Sequence, residues 1–162
     1  MGLQFGEISA AEIQLLVNRG TPLPQDMLSK LAQKGQVETI TSLVSAGLIS
    51  DINMRNQVTG RNALSDAIVK ICYSWYEYSP ARAADVVDNF LSLGVQVTNS
   101  PGDWDALDYA LDGISANNAD VKLAIVRALL NRGLVLSDSQ SELVSSYSGP
   151  PESYSPLIDK KK

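Results

Sequence analysis

The sequence predicts an all-α fold built from repeated helices, and the first observation behind this prediction is a short pattern that occurs four times. An aliphatic residue is followed by an apolar pair at the third and fourth positions after it, and by a glycine at the seventh. The copies are Ile13-Leu16-Val17-Gly20, Ile40-Leu43-Val44-Gly47, Val87-Phe90-Leu91-Gly94 and Val126-Leu129-Leu130-Gly133. Apolar residues at this spacing lie on one face of a helix, and glycine readily adopts the left-handed conformation that ends one. We therefore expect one type of amphipathic helix four times along the chain.

The second observation is a pair of matching segments that precede two of these helices. Residues 62–68 and 105–111 align without a gap, each with Asn or Asp before an Ala-Leu pair, and each follows a polar loop. Asn and Asp are typical of a helix start because their side-chain oxygen accepts hydrogen bonds from exposed backbone amides. Each unit is thus predicted to be a loop, a first helix, a second helix and another loop. The four glycines lie about 27, 47 and 39 residues apart, within the range of solenoid repeats.

These units resemble the ankyrin repeat family. That family has a Gly-x-Thr-Pro-Leu-His-x-Ala-Ala start, a Val-x-x-Leu-Leu second helix and a Gly-Ala-x-Val-Asn exit. Residues 35–47 with 51–53 are the most similar stretch, and 94–99 and 133–136 follow the exit pattern. The start differs, because residues 60–65 replace Thr-Pro with Asn-Ala and lack the His. The resemblance covers residues 10–138 and implies an ankyrin-like α-solenoid of about four helix-turn-helix repeats joined by hairpin-like loops, with another α-solenoid as the alternative.

The expected domain organisation is a repeat domain over residues 1–138 and a terminal cap or flexible Ser/Pro-rich tail over 139–162. An aromatic insertion is expected near residues 72–80, where Tyr and Trp cluster at the turn between two helices. Two interpretations stay open for this insertion, because such a cluster can extend the first helix and cover the core or can anchor a partner. We assign Tyr73 to the core and Trp75 or Tyr78 to partner contact.

The ankyrin resemblance implies that partners bind at the loop tips and at the exposed side of the first helices. Carried over by position, the candidate partner-binding residues are Thr59 and Arg61 on one tip, Asp103 and Trp104 on the next, Gln33, Lys34, Lys70 and Asp112 at first-helix ends, and Trp75 and Tyr78 in the insertion. Any one of the charged residues could equally be solvated surface. Trp104 is the strongest candidate, since an exposed Trp is uncommon without a role.

The residue composition argues against the commonest catalytic sites. The chain has no His and a single cysteine, Cys72, so it has no Ser-His or Cys-His pair and no cysteine-rich zinc site. It also lacks the glycine-rich motifs that bind phosphates. Carboxylate pairs such as Asp85 with Asp88, and Asp103 with Asp105, are explained by helix exposure and capping. We therefore expect no enzymatic activity, no cofactor and no bound metal.

Charge and hydropathy indicate which partners to expect. A net charge of −5 argues against nucleic acid, because binding to phosphates depends on Lys and Arg, and the basic run Lys160–Lys162 lies at the chain end. There is no apolar stretch long enough for a membrane span. The sparse cysteine content favours a cytoplasmic location.

The function predicted from these observations is a non-catalytic protein-protein interaction module, an adaptor that is monomeric when free. Its acidic character suits a basic partner. One alternative is a stoichiometric inhibitor, such as an immunity protein that blocks a toxin or another enzyme, since small acidic proteins with degenerate ankyrin motifs resemble such inhibitors. A further alternative is a structural scaffold subunit of a larger assembly.

Overall fold

The computed structural model describes residues 9–97 and 103–147 of the 162-residue chain. Within those ranges all regular structure is helical, which confirms the all-α prediction. The helices are α1 (Ala10–Asn18), α2 (Met27–Gln33), α3 (Val37–Ser45), α4 (Ala63–Tyr73), α5 (Pro80–Ser92), α6 (Ala106–Leu111), α7 (Ala119–Asn131) and α8 (Asp138–Tyr147), with a 3₁₀ turn at Trp75–Glu77.

The helices are arranged in two layers. Helices α1, α3, α5 and α7 contact one another in that order and form one layer, and α2, α4, α6 and α8 form the other in the same way. Successive helices α2 with α3, α4 with α5, and α6 with α7 pack across the two layers. The core between them is aliphatic around one buried aromatic ring, Phe90. Each helix from α2 to α7 is thus held by a neighbour in its own layer and by one in the other.

The four helices of the recurrent pattern are α1, α3, α5 and α7, and each ends at its predicted glycine. Gly20, Gly47, Gly94 and Gly133 all have φ between 74° and 98°, which confirms the predicted left-handed caps. At α3 the Gly47 amide donates to the Val44 carbonyl (3.0 Å) and the Leu48 amide to the Leu43 carbonyl (2.9 Å). This pair of bonds is the Schellman motif, which satisfies carbonyls that the helix end would otherwise leave free.

The matching first helices α4 and α6 begin at the predicted polar residues. Asn62 Oδ1 accepts a hydrogen bond from the Ser65 amide at 3.0 Å, and Asp105 Oδ1 accepts one from the Asp108 amide at 2.9 Å. The Asp108 carboxylate in turn accepts a bond from the Asp105 amide, so α6 has a reciprocal capping box. The prediction that Asn62 and Asp105 cap these two helices is confirmed.

The loops before α4 and α6 are joined by hydrogen bonds to Gln96. The Gln96 amide donates to Asn53 Oδ1 at 2.7 Å, and Asn62 Nδ2 donates to the Gln96 carbonyl at 2.8 Å. At the tip of the first loop, residues 56–61 close a turn in which the Asn56 amide donates to the Arg61 carbonyl. Side-chain amides and backbone therefore hold consecutive loops side by side.

The aromatic segment near residues 72–80 connects α4 to α5. Ser79 caps α5, and Pro80 occupies the first turn of that helix. The assignment of Tyr73 to the core is wrong, because this side chain is 78% exposed at the end of α4. Trp75 and Tyr78 are half-buried and pack against the core, because the 3₁₀ turn directs the chain back toward α5.

The C-terminal described segment is the helix α8, which packs against α6. Its Val144 is fully buried, and Gln140 Nε2 donates to Asp108 Oδ1 at 2.8 Å. Residues 139–147 of the expected cap or tail thus form a helix, and residues 148–162 lie outside the described part, as do residues 98–102 with the Pro101-Gly102 tip.

Candidate functional site

Four of the residues predicted to bind a partner line a single cavity of about 430 Å³. Arg61 precedes α4, Trp75 lies in the 3₁₀ turn, Trp104 precedes α6 and Asp112 ends α6. The other lining residues are Val69, Cys72, Tyr73, Tyr109, Gly113, Asn118 and Lys122. We call this cavity the lysine pocket. It lies where the C-terminal half of α4, α6 and the start of α7 meet, so residues distant in the sequence form one concave surface.

Aromatic side chains form much of the pocket wall. Trp104 is 48% exposed and packs edge to face on Tyr109, with ring centroids 5.3 Å apart. Trp75 makes a similar contact with Tyr76 at 6.0 Å. Tyr73 adds a fourth lining aromatic side chain, and it is exposed to solvent. Such rings offer large, rigid contact area at low conformational cost.

Arg61 is half-buried and belongs to an internal ion pair as well as to the pocket. Its Nε donates to Asp66 Oδ1 at 2.9 Å, and Asp66 is only 1% exposed. The other Asp66 oxygen accepts a bond from the Ser29 hydroxyl at 2.5 Å. Arg61 therefore links its loop to α4 and α2, which differs from the freely exposed tip residue that the sequence predicted.

Lys122 is the charged residue that the sequence reasoning missed. It lies on α7, is 3% exposed, and its Nζ donates to the backbone carbonyl of Asp112 at the end of α6. The signal was present in the sequence, since Lys122 precedes Val126, Leu129 and Leu130 by four, seven and eight positions. It therefore lies on the same apolar face, where a lysine is unusual.

The chemistry of the pocket is that of binding groups. Burial raises the pKa of the Cys72 thiol to about 11, an effect that Lys122 opposes and Asp112 reinforces. A thiol with so high a pKa stays protonated at neutral pH and is a poor nucleophile. Cys72 thus lines the pocket as a neutral thiol at neutral pH.

A second cavity, of about 380 Å³, adjoins the lysine pocket on the α8 side. It shares Trp104, Asp112 and Gly113 with the first cavity. Its remaining lining residues are Asp108, Leu111, Ile114, Ser139, Gln140 and Leu143. We call it the α8 pocket. Trp104 and the turn at residues 112–113 stand between the two, so one side chain borders both.

Four predicted partner-binding residues lie outside the two cavities. Thr59 is exposed on the first loop, and Lys70 is exposed on α4. Asp103 lies 3.8 Å from the Arg55 guanidinium, and Tyr78 lies under the Arg82 guanidinium at 4.9 Å. The structure therefore brings four of the ten predicted residues together at the lysine pocket and leaves the other six outside both cavities.

The first-helix ends named at α2 are also outside the cavities. Gln33 donates a hydrogen bond to the Ser29 hydroxyl at 3.4 Å, and Lys34 is exposed. Neither residue lines either pocket. They therefore lie beside the buried Asp66 cluster rather than at the aromatic surface.

Two other kinds of site, a metal centre and a membrane span, are absent from the described residues. Residues 9–97 and 103–147 contain no group of three or more His, Cys, Asp or Glu side chains placed to hold a metal ion. No helix in those ranges combines the length and apolar character needed to cross a bilayer.

Comparisons with protein-family models, with curated proteins and with solved structures find no match to this chain.

Proposed function

We propose that this protein is a non-catalytic protein-protein interaction module whose partner binds over Trp104 and the two pockets beside it. The observation that carries the proposal is the lysine pocket, which four predicted contact residues from separate parts of the sequence line together. A partially exposed Trp beside a concave, aromatic surface is a typical anchor point for a partner side chain. The pocket volume of about 430 Å³ is large enough for one such side chain.

The architecture in this proposal is an ankyrin-like solenoid. Three features support it: two layers of helices that contact in chain order, glycine caps on α1, α3, α5 and α7, and loops joined through Gln96. In such an array the first helices and loop tips share one side of the molecule. That placement would put Trp104, Arg61 and Asp112 on the binding side.

The partner in this proposal carries basic residues around its contact surface. The chain has a net charge of −5, and the exposed carboxylates of Asp103 and Asp112 lie beside Trp104. Complementary charge mainly raises the association rate and selects the partner. The module acts as a monomer and, with the free Cys72 thiol, operates in a reducing compartment, the cytoplasm.

The experiment is affinity purification from the native source followed by mass spectrometry, with wild type, Trp104→Ala and Tyr76→Ala compared. Tyr76 is 70% exposed and lines neither pocket, so it is a matched control for the loss of an exposed ring. We expect one protein that is retained by wild type and Tyr76→Ala and lost from Trp104→Ala. A partner retained equally by all three variants, or no partner in any sample, would contradict the proposal.

The identified partner then separates the adaptor from the two alternatives. A stoichiometric inhibitor would abolish the activity of an enzyme partner at a one-to-one ratio. A scaffold subunit would co-purify constitutively and would have no stable free monomer. The adaptor predicts a stable monomer that leaves the activity of its partner intact.

A further inference from the structure

The basis of the inference is an incompletely satisfied cation at the base of the lysine pocket. Lys122 is 3% exposed, and among the described residues its Nζ has one hydrogen-bond partner, the Asp112 carbonyl. It forms no ion pair with any described carboxylate. An ammonium group has three donors, and a buried charge without compensation is strongly unfavourable. Two donors of a buried lysine are thus left without an acceptor from the described chain.

The neighbouring acceptors are already used by other groups. Asn118 Oδ1 accepts a bond from the Ser115 amide at 2.7 Å, and the Gly113 carbonyl accepts one from Asn118 Nδ2 at 3.2 Å. Gly113 lies so close to the ammonium that a Cβ at this position would be 3.9 Å from Nζ. Because Gly113 lines the cavity together with Lys122, the ammonium lies beside the pocket wall at Gly113.

The charges around the lysine pocket determine whether it favours an anionic or a cationic ligand group. The pocket lining contains two cations, Arg61 and Lys122, and one carboxylate, Asp112, which is exposed to solvent. The Arg61 guanidinium is paired with the buried Asp66, whereas Lys122 has no carboxylate partner in the described chain. A cationic side chain entering the pocket would meet the Lys122 charge, and an anionic one would complete its hydrogen bonds.

We propose that the lysine pocket binds a carboxylate, carried by an Asp or Glu side chain of the partner protein, which pairs with the Lys122 ammonium. The aliphatic part of the acidic residue packs against Trp75 and Trp104 while its oxygens take the two remaining donors. The inference rests on the proposed function only for the source of the carboxylate. A partner that is basic around its rim would thus present one acidic anchor residue at the pocket.

Lys122 also has a structural role that the test has to separate from binding. By donating to the Asp112 carbonyl it stabilises the C-terminal end of α6, where the helix dipole favours a cation. Lys122→Gln keeps a neutral donor for this carbonyl and removes the charge. Lys30→Gln is the matched control, because Lys30 is an exposed lysine on α2 outside both pockets.

The first experiment uses three probes of similar shape and different charge: benzoate, benzamide and benzylammonium. Binding is followed by NMR of the two indole N–H groups, Trp75 and Trp104, with folding of each variant verified from its full amide spectrum. We expect benzoate to shift both indole signals saturably and to bind at least about tenfold more tightly than either other probe. Lys122→Gln should lose this preference, and Lys30→Gln should keep it.

Two results would overturn the pocket chemistry. One is equal binding of benzamide and benzoate to wild type. The other is benzoate binding by folded Lys122→Gln that matches wild type. Either result would show that the ammonium is only a helix-end donor and does not recognise a carboxylate.

A second experiment tests whether a protein supplies the carboxylate. Its result is interpreted independently of the pocket chemistry tested above. The blocked tripeptide Gly-Glu-Gly is titrated beside Gly-Gln-Gly, and Lys122→Gln is included in the partner purification described above. Selective binding of the Glu peptide, with loss of the partner from Lys122→Gln, supports a protein-borne carboxylate. Benzoate binding with no effect of Lys122→Gln on a captured partner overturns that source and assigns the pocket to a free carboxylic acid. Benzoate binding with no partner at all overturns the proposed function while the carboxylate chemistry stands.

Discussion

Replacing Arg61 with Met is expected to destabilise the fold by far more than loss of a surface ion pair would. The substitution leaves the Asp66 carboxylate, which is 1% exposed, with the Ser29 hydroxyl as its remaining side-chain partner. Breaking a fully buried ion pair costs about 3 to 5 kcal/mol. Since the Arg61 side chain is 24% exposed, water can partly replace it, and we expect a loss of about 2 to 4 kcal/mol.

Substitution of the other member of the ion pair, Asp66→Asn, is expected to lower the free energy of unfolding by less. It keeps an acceptor for Ser29, and the Arg61 charge that remains can reach water. The expected loss is about 1 to 2 kcal/mol, the cost of a hydrogen bond to a charged group. The double variant should lose less stability than the sum of the losses of the two single variants. The difference, which is the coupling energy between the two residues, should be about 1 to 3 kcal/mol.

The assay is urea denaturation followed by circular dichroism for wild type, both single variants and the double variant. Arg132→Met is the control, because Arg132 pairs with Asp88 at 3.5 Å and both side chains are more than 40% exposed. Such an exposed pair contributes about 0 to 1 kcal/mol. If Arg61→Met lost no more stability than Arg132→Met, the account of Asp66 as a buried charge held by Arg61 would be refuted.

Substitutions at three further positions probe the helix caps and the aromatic surface. Gly47→Val should lower stability by more than about 1 kcal/mol because φ is +74°, while no neighbour obstructs a Cβ there; Gly47→Asn should cost less, and equal melting temperatures for both variants and wild type would contradict the cap. Asp105→Ala should cost about 1 kcal/mol of capping energy, and Asp105→Asn should keep the cap. Burial raises the folded-state pKa of Asp105 above its ordinary 3.8, so the stability of wild type relative to Asp105→Asn should fall as pH rises from 3.8 in urea titrations; a relative stability that rises would show the opposite shift. Trp104→Ala should lose less than about 1.5 kcal/mol in thermal melts, and failure to fold would place Trp104 in the core.

The helices could be predicted because their signals are local. The four apolar patterns, their terminal glycines and the capping Asn62 and Asp105 all act within one or two turns of chain. Helix α8 was harder to predict from the sequence, because its residues are mostly polar apart from Leu143 and Val144. Its helical state depends on packing against α6, which a local pattern does not contain.

The errors at the site have physical causes that differ from residue to residue. Tyr73 was placed in the core on residue type, yet it follows the buried Ile71 by two positions and so lies about 200° around the helix from it. Arg61 was assigned to a free loop tip because its partner Asp66 is buried where α4 packs against α2, beside Ser29, which lies 37 residues away in the sequence. Lys122 could have been found from its place on an apolar helix face. The cavity beside it could not, because three helices form it together.

The hydrogen bonds of Gln96 have a consequence for transferring one loop of this protein into another protein. Asn53 and Asn62 belong to one loop, while the backbone group they bind belongs to the following loop. The conformation of a loop is thus partly encoded in the sequence of its neighbour. If the loop between α3 and α4 were grafted into another helical protein, it would keep its shape only where the recipient presents a free backbone segment equivalent to that at Gln96.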